Sequence, residues 1–326
     1  MMFILPISAM IGWAGGLLVA RQGRRLGLVD IPTARSSHVR PTPKGGGIGL
    51  LAGVVAAGLA LRLPWHTWTP AVLVSAFSIW ADRADIAPSI RLKVHFLAAF
   101  VFLFGHAGWG GDGWNNLLTC IPWAVFIVGT ANIYNFMDGI NGIAGITGVV
   151  GFGLLSAFYA RFHGDAEALW YGSLAAACAG FLPLNLPRAR VFMGDVGSIL
   201  LGFLFASGVV AASHSLQDFL CVVSFLFPFY ADELTTMYIR FRRGEDLTVA
   251  HRRHIYQLLV NEMGYPHWKI AAVYGVMQAI IGVISMLLVS RGWVALVVFL
   301  LVCSAAFVAA QAYMRKVAAL TWTART

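Results

Sequence analysis

Charge is what this sequence has least of. Only 11% of its 326 residues are Asp, Glu, Lys or Arg and 59% are hydrophobic, and the mean hydropathy is +0.76. That excludes a soluble globular domain, in which about a quarter of residues are charged, and points to an integral membrane chain. Cysteine is also sparse. Cys120, Cys178, Cys221 and Cys303 each fall inside an apolar run, with no CxxC and no Cys/His cluster. Neither a disulfide framework nor a cysteine zinc site is suggested, and the four read as small buried apolar residues. The net charge of +9 is confined to a few connections, so no nucleic-acid partner is expected.

What the chain has in abundance is apolar runs. They lie near residues 2–20, 45–62, 67–81, 93–109, 116–133, 143–160, 168–186, 197–213, 216–232, 269–290 and 292–314. The expected fold is therefore all-α: a polytopic membrane bundle of about eleven transmembrane helices, or ten without the short third run. No Lys or Arg precedes the first run, whereas Arg21, Arg24 and Arg25 follow it, the reverse of a signal peptide's order. All of the 23 Lys and Arg except Arg62, Arg161 and Arg291 fall in one alternate set of connections. By the positive-inside rule that set is cytoplasmic, with the N-terminus outside and the C-terminus inside. Trp65, Trp68, Trp109, Trp114 and Trp293 flank the outer ends and read as interface anchors.

Almost all remaining polar sequence lies on the cytoplasmic side, in loops 21–44, 82–92, 132–142, 187–196 and 233–268. One transmembrane domain over 1–326, with its active site on the inner leaflet, accounts for this. The central stretch is Asn132-Ile-Tyr-Asn135-Phe-Met-Asp138-Gly-Ile-Asn141-Gly. If a helix continues to Asp138, steps of three bring Asn132, Asn135 and Asp138 close to one face. There they offer amides and a carboxylate where lipid tolerates neither.

Each other island has two readings. Arg40-Pro-Thr-Pro-Lys44-Gly-Gly-Gly47 either opens a helix with N–H groups free for an anion or uses its glycines for close helix packing. Ala81-Asp82-Arg83-Ala84-Asp85 either holds a divalent cation or pairs locally. In Arg188-Ala-Arg190-Val-Phe-Met-Gly-Asp195, Asp195 reaches a metal ion, caps the next helix, or does both. His251-Arg252-Arg253-His254 suits phosphate better than zinc, since a third ligand is missing and cations intervene; otherwise it is a basic loop on anionic lipid. His95 reads as a packing residue. Together, carboxylates for a hard cation, cations for phosphates and amides for a sugar or base fit a magnesium diphosphate substrate. The membrane location suggests a lipid as the second substrate.

In order, PTPKGGG, ADRAD, NIYNFMDGING, FMGDVGS and HRRHIYQLL resemble the motifs of polyprenyl-phosphate N-acetylhexosamine-1-phosphate transferases across about residues 20–260. The last motif is more similar to the O-antigen-initiating branch than to the peptidoglycan one. The resemblance implies transfer of a sugar 1-phosphate from a UDP-N-acetylhexosamine to undecaprenyl phosphate, with release of UMP and a need for Mg2+, or Mn2+ in its place. It implies Asp195 as a metal ligand with Asp82, and Asn135 and Asp138 at the nucleotide and phosphates. Lys44, Asn132, Asn141 and Arg190 join the substrate site, and His251, Arg253 and His254 hold the diphosphate. Asp82 matches the second residue of the family's Asp-Asp pair, but Ala81 stands where the first belongs. The expectation is a chain that binds its substrates and turns over slowly. It would sit in a bacterial inner membrane facing the cytoplasm, and a homodimer is compatible with this reading. The competing classes are an inactive scaffold, which Ala81 favours, and a transporter, which would carry charge at the bilayer midplane and show a repeat. A phospholipid-headgroup enzyme would need an Asp-rich run that is absent.

Overall fold

The computed structural model describes residues 3–33, 36–84, 86–107, 117–246 and 251–323. Asp85, Trp109 and Trp114, singled out above, lie outside them. The helices are α1 (Ile4–Gln22), α2 (Ile48–Ala60), α3 (Trp65–Arg83), α4 (Pro88–Ala107), α5 (Leu117–Phe136), α6 (Ile143–Phe162), α7 (Asp165–Asn185), α8 (Asp195–Ala212), α9 (Leu216–Val223), α10 (Phe227–Arg242), α11 (Ile255–Asn261), α12 (His267–Leu288) and α13 (Trp293–Thr323). A two-residue antiparallel pairing, β1 (Val29–Asp30) with β2 (Thr42–Pro43), folds the first long connection back on itself.

Among the described residues the apolar runs fall mainly on helix, and the protein is an all-α polytopic membrane bundle. Among the described residues, seven spans are long and apolar enough to cross a bilayer: α1, α4, α6, α8, α9 with α10, α12 and α13. The α2 helix and Cys120–Phe136 of α5 are apolar but shorter. The third run, the shortest by sequence, is a full 19-residue helix.

One predicted helix is broken. The run 216–232 comprises α9, a 3-10 turn at Ser224–Leu226 and the start of α10, which continues to Arg242. Pro228 in the first turn of α10 brings no N–H to continue the ladder. The Gln278 amide on α12 donates to the buried Phe225 carbonyl at 2.6 Å. A backbone break at membrane depth needs such a partner.

The bundle is organised around α8, where 89% of the apolar window is buried, against 6% for α13 on the periphery. Small residues let its neighbours approach. A Cβ on Gly202 of α8 would meet the backbone of Ala131 on α5, and one on Gly197 would meet Gly47 at the start of α2. The α1–α7 seam is tighter still, because a Cβ on Gly180 would collide with the Ala9 carbonyl oxygen. Gly180→Ala must therefore push α1 and α7 apart, at about 1–3 kcal/mol of overpacking. Gly153→Ala, whose Cβ would meet nothing within 4 Å, is the control. Thermal unfolding in detergent should show a clear drop for the first and none for the second. Equal midpoints would refute this seam.

Candidate active site

Five connections meet at the end of the bundle where α8 begins. Gly46 and Gly47 donate their N–H groups to the carbonyls of Phe192 and Met193, both at 2.9 Å. The glycine run is thus explained by close packing, and those two N–H groups are already committed. Asn185 acts as a staple. Its Oδ1 accepts from Gly142 N–H at 2.6 Å, and its Nδ2 donates to the Val191 carbonyl at 2.9 Å. The three segments around 142, 185 and 191 are thereby locked together.

Asp195 is the first residue of α8, but Gly194 (φ 72°) occupies the cap position with no side-chain cap bond. This frees the Asp195 carboxylate. Arg91 Nη1 lies 3.3 Å from Asp195 Oδ2 and 3.0 Å from Asp82 Oδ1, while Lys44 Nζ lies 3.5 Å from Asp82 Oδ2. Arg91 is itself held by backbone: Nη2 donates to the Ala81 carbonyl at 2.9 Å and Nε to that of Ile86 at 3.1 Å. Ala81 is fully buried.

A cavity of about 310 Å³ opens beside this cluster, within the size range of small-molecule sites. Lys44, Asp82, Asn135, Asp138, Asn141 and Asp195 all line it, together with His38, Asn185, Gln257 and His267. Asn135 Oδ1 accepts from Ser198 Oγ at 2.5 Å, joining α5 to α8. Burial, and then the neighbouring Asp195, push the Asp138 carboxyl up to about 8, so the isolated site keeps it protonated at neutral pH. A second cavity, about 330 Å³, shares Lys44, Asp82, Gly194 and Asp195 with the first. Its other walls include Leu28, Ile48, Ile79 and Val196.

Several candidate residues lie elsewhere. The α5 helix stops at Phe136, so Asp138 arrives on a turn rather than on the face of Asn132 and Asn135. Asn132 donates to the Val128 carbonyl of its own helix at 2.7 Å and does not line the cavity. Arg190 is exposed outside that lining. Arg253 pairs with Glu245, and Arg252 Nη2 lies 3.7 Å from Glu262. The His251 and His254 rings lie 4.8 Å apart at a 40° tilt, and His254 is almost wholly buried. Burial first, then His254, Arg240 and Arg253, pull His251 down to about 4.

Three features escaped the sequence reading. Arg91 looked like one more positive-inside charge, and His267 was not singled out within the loop 233–268. Asp232 and Glu233 sit at the edge of an apolar run, where ionisable residues are rare and mark function.

A profile of Glycosyl transferase family 4 matches residues 65–213, which span α3 to the end of α8. The chain is 30% identical over 295 residues to the decaprenyl-phosphate N-acetylglucosaminephosphotransferase of Mycobacterium tuberculosis, covering 76% of this chain and 72% of that one. It is 30% identical over 317 residues to the undecaprenyl-phosphate alpha-N-acetylglucosaminyl 1-phosphate transferase of Yersinia pestis, with 87% and 85% covered. The enzyme of that name from Salmonella typhi is 30% identical over 261 residues, 72% and 70% of the two chains. With its acidic and amide side chains gathered at one end of a membrane bundle and likeness along most of its length, the chain belongs to the polyprenyl-phosphate N-acetylhexosamine-1-phosphate transferases of glycosyl transferase family 4.

Proposed function

We propose that the chain transfers N-acetylhexosamine 1-phosphate from a UDP-N-acetylhexosamine to undecaprenyl phosphate. UMP is released, and undecaprenyl-diphosphate-HexNAc is the first intermediate of O-antigen or a related surface polysaccharide. The observation that carries this is the border between the two cavities, where Asp82, Asp195 and Lys44 face both. The polar cavity, with the amides of Asn135, Asn141 and Gln257, suits the nucleotide and sugar. The second, walled by Leu28, Ile48, Ile79 and Val196, suits the head of a lipid phosphate. The asymmetry of Lys and Arg supports a multi-pass inner-membrane enzyme whose site faces the cytoplasm.

In this reading an oxygen of the lipid phosphate attacks the sugar-proximal phosphorus of the donor. That phosphorus's bond to the bridging oxygen breaks, and the oxygen departs with UMP. The second pKa of a phosphate monoester is about 6, so much of the acceptor is dianionic at neutral pH and needs little help from a base. Lys44 and Arg91 offset the charge of the two approaching phosphates. Asp82 holds both cations in place.

The donor set fits Mg2+. Two carboxylates converge on one cationic nitrogen at 3.0 and 3.3 Å. Among the described residues no third His, Cys, Asp or Glu completes a cage, and Mg2+ takes one or two carboxylates plus substrate phosphates. Asp195 with Asp82 would hold the ion, which would neutralise the diphosphate and the departing UMP.

Ala81 favours a second reading, an inactive member that binds substrates and acts as a scaffold. One experiment separates them. Purified protein is given UDP-GlcNAc, UDP-GalNAc or a 6-deoxy analogue with undecaprenyl phosphate and Mg2+, and UMP and the lipid product are followed, with and without Ala81→Asp. Product from one donor is expected. No product from any donor with either chain, alongside measurable UDP binding, would leave the scaffold.

A further inference from the structure

Outside both cavity linings lies a second buried polar cluster. Asp232 and Glu233 on α10 are 0% and 3% exposed, and a buried carboxylate is costly unless it is well satisfied. Asp232 is. It accepts from Ile255 N–H at 3.0 Å, the Tyr274 hydroxyl at 2.7 Å, the Thr236 hydroxyl at 3.2 Å and the Gln311 amide at 3.4 Å. It thus ties α10 to α12, α13 and the start of α11.

Next to it is His254, 2% exposed. Its Nδ1 lies 3.7 Å from Asp232 and its Nε2 3.3 Å from Glu233. An imidazole has only these two polar atoms; both are buried and face carboxylates rather than either cavity, whose linings do not include His254, although Nδ1 and Glu233 Oε2 complete no hydrogen bond. What the ring does reach is Tyr256, stacked at 5.5 Å and 12°. The Tyr256 hydroxyl donates to the Phe136 carbonyl at 3.2 Å and fills the space a Cβ on Gly139 would need, and Gln257 Nε2 packs beside it. Between Phe136 and Gly139 sits Asp138.

We propose that His254 is a positioning residue rather than a diphosphate ligand: Asp232 and Glu233 clamp it, and through Tyr256 it holds the turn that delivers Asp138 to the cavity. Only the nucleotide-binding arm of the test rests on the transferase reading. The role runs through contacts, so three different substitutions should share one signature. Tyr256→Phe removes a single hydroxyl and threatens the fold least; Asp232→Asn and His254→Gln attack the clamp.

Hydrogen exchange on full-length protein in nanodiscs reads the turn directly. In all three variants, amides of 136–141 are expected to exchange about tenfold faster, the scale of one lost hydrogen bond, with those of α7 unchanged. UDP and UMP affinities should fall together, so that their ratio stays within about twofold of the parent. A histidine that gripped the diphosphate would instead lower UDP affinity selectively in His254→Gln and leave exchange unchanged. Unchanged exchange at 136–141 in Tyr256→Phe and Asp232→Asn, or a collapse of the UDP/UMP ratio in His254→Gln alone, overturns the proposal. Were the parent to bind neither nucleotide, the transferase reading would fall, and exchange would still decide the role of the clamp.

Discussion

With aspartate in place of Ala81, UMP release is expected to rise about 10²-fold, the scale of one well-placed charge in an active site. Residue 81 lies in the last turn of α3 beside Asp82, and its carbonyl already accepts from Arg91 at 2.9 Å. Lys44 and Arg91 balance Asp82 and Asp195 there. A third carboxylate tips the cluster negative and draws a divalent cation more strongly. Two origins of the gain can be told apart by pH. A base at position 81 helps only while the acceptor phosphate is a monoanion, so its benefit shrinks above about pH 7. A charge that recruits the cation or orients the acceptor keeps its benefit at pH 8, and we expect that outcome, with half-saturation at lower Mg2+. The site is fully buried, so the new carboxylate should also lower the thermal midpoint without Mg2+ and regain stability with it. Turnover within threefold of the parent across this pH range would remove position 81 from the reaction.

The helices were legible because bilayer thickness imposes a length on apolar runs, and no competing fold tolerates so many. The polar islands were legible for the complementary reason: in a chain this apolar, a cluster of Asn and Asp must be accounted for. Side-chain direction was not legible. Asn132 and Asn135 share a motif and a helix, yet one amide is spent on the Val128 carbonyl and the other meets Ser198. That difference depends on where α5 ends and how α8 lies against it. Arg91 looked like every other cytoplasmic arginine, because its importance comes from the α3–α4 turn that supplies carbonyls to Nε and Nη2. The glycine run permitted an anion cradle or a packing seam, and the partners at 192–193, nearly 150 positions away, decided for the seam. The break at 224–227 was hinted at by Pro228 alone, since the Gln278 amide that makes it tolerable comes from another helix.

Asp195→Asn is expected to cost about 10³-fold or more in turnover while leaving the fold intact, because the two roles open to Asp195 separate cleanly here. Gly194, not the Asp195 side chain, occupies the cap of α8, so the isosteric amide should start the helix as well as the carboxylate does. The backbone bonds from Gly197 and Ser198 to the Gly194 carbonyl, at 2.8 and 3.1 Å, do not involve the side chain. Charge is what disappears. Arg91 loses one of its two carboxylates, and a hard cation loses the anionic oxygen it requires, which an amide oxygen replaces poorly. The thermal midpoint without ligand should stay near that of the parent, while the extra stability conferred by UDP with Mg2+ falls to the level seen with UDP alone. Those two readings locate the loss in cation binding rather than in folding. Activity within tenfold of the parent, with the Mg2+-dependent stabilisation retained, would place the ion on other groups and return Asp195 to the role of a partner for Arg91.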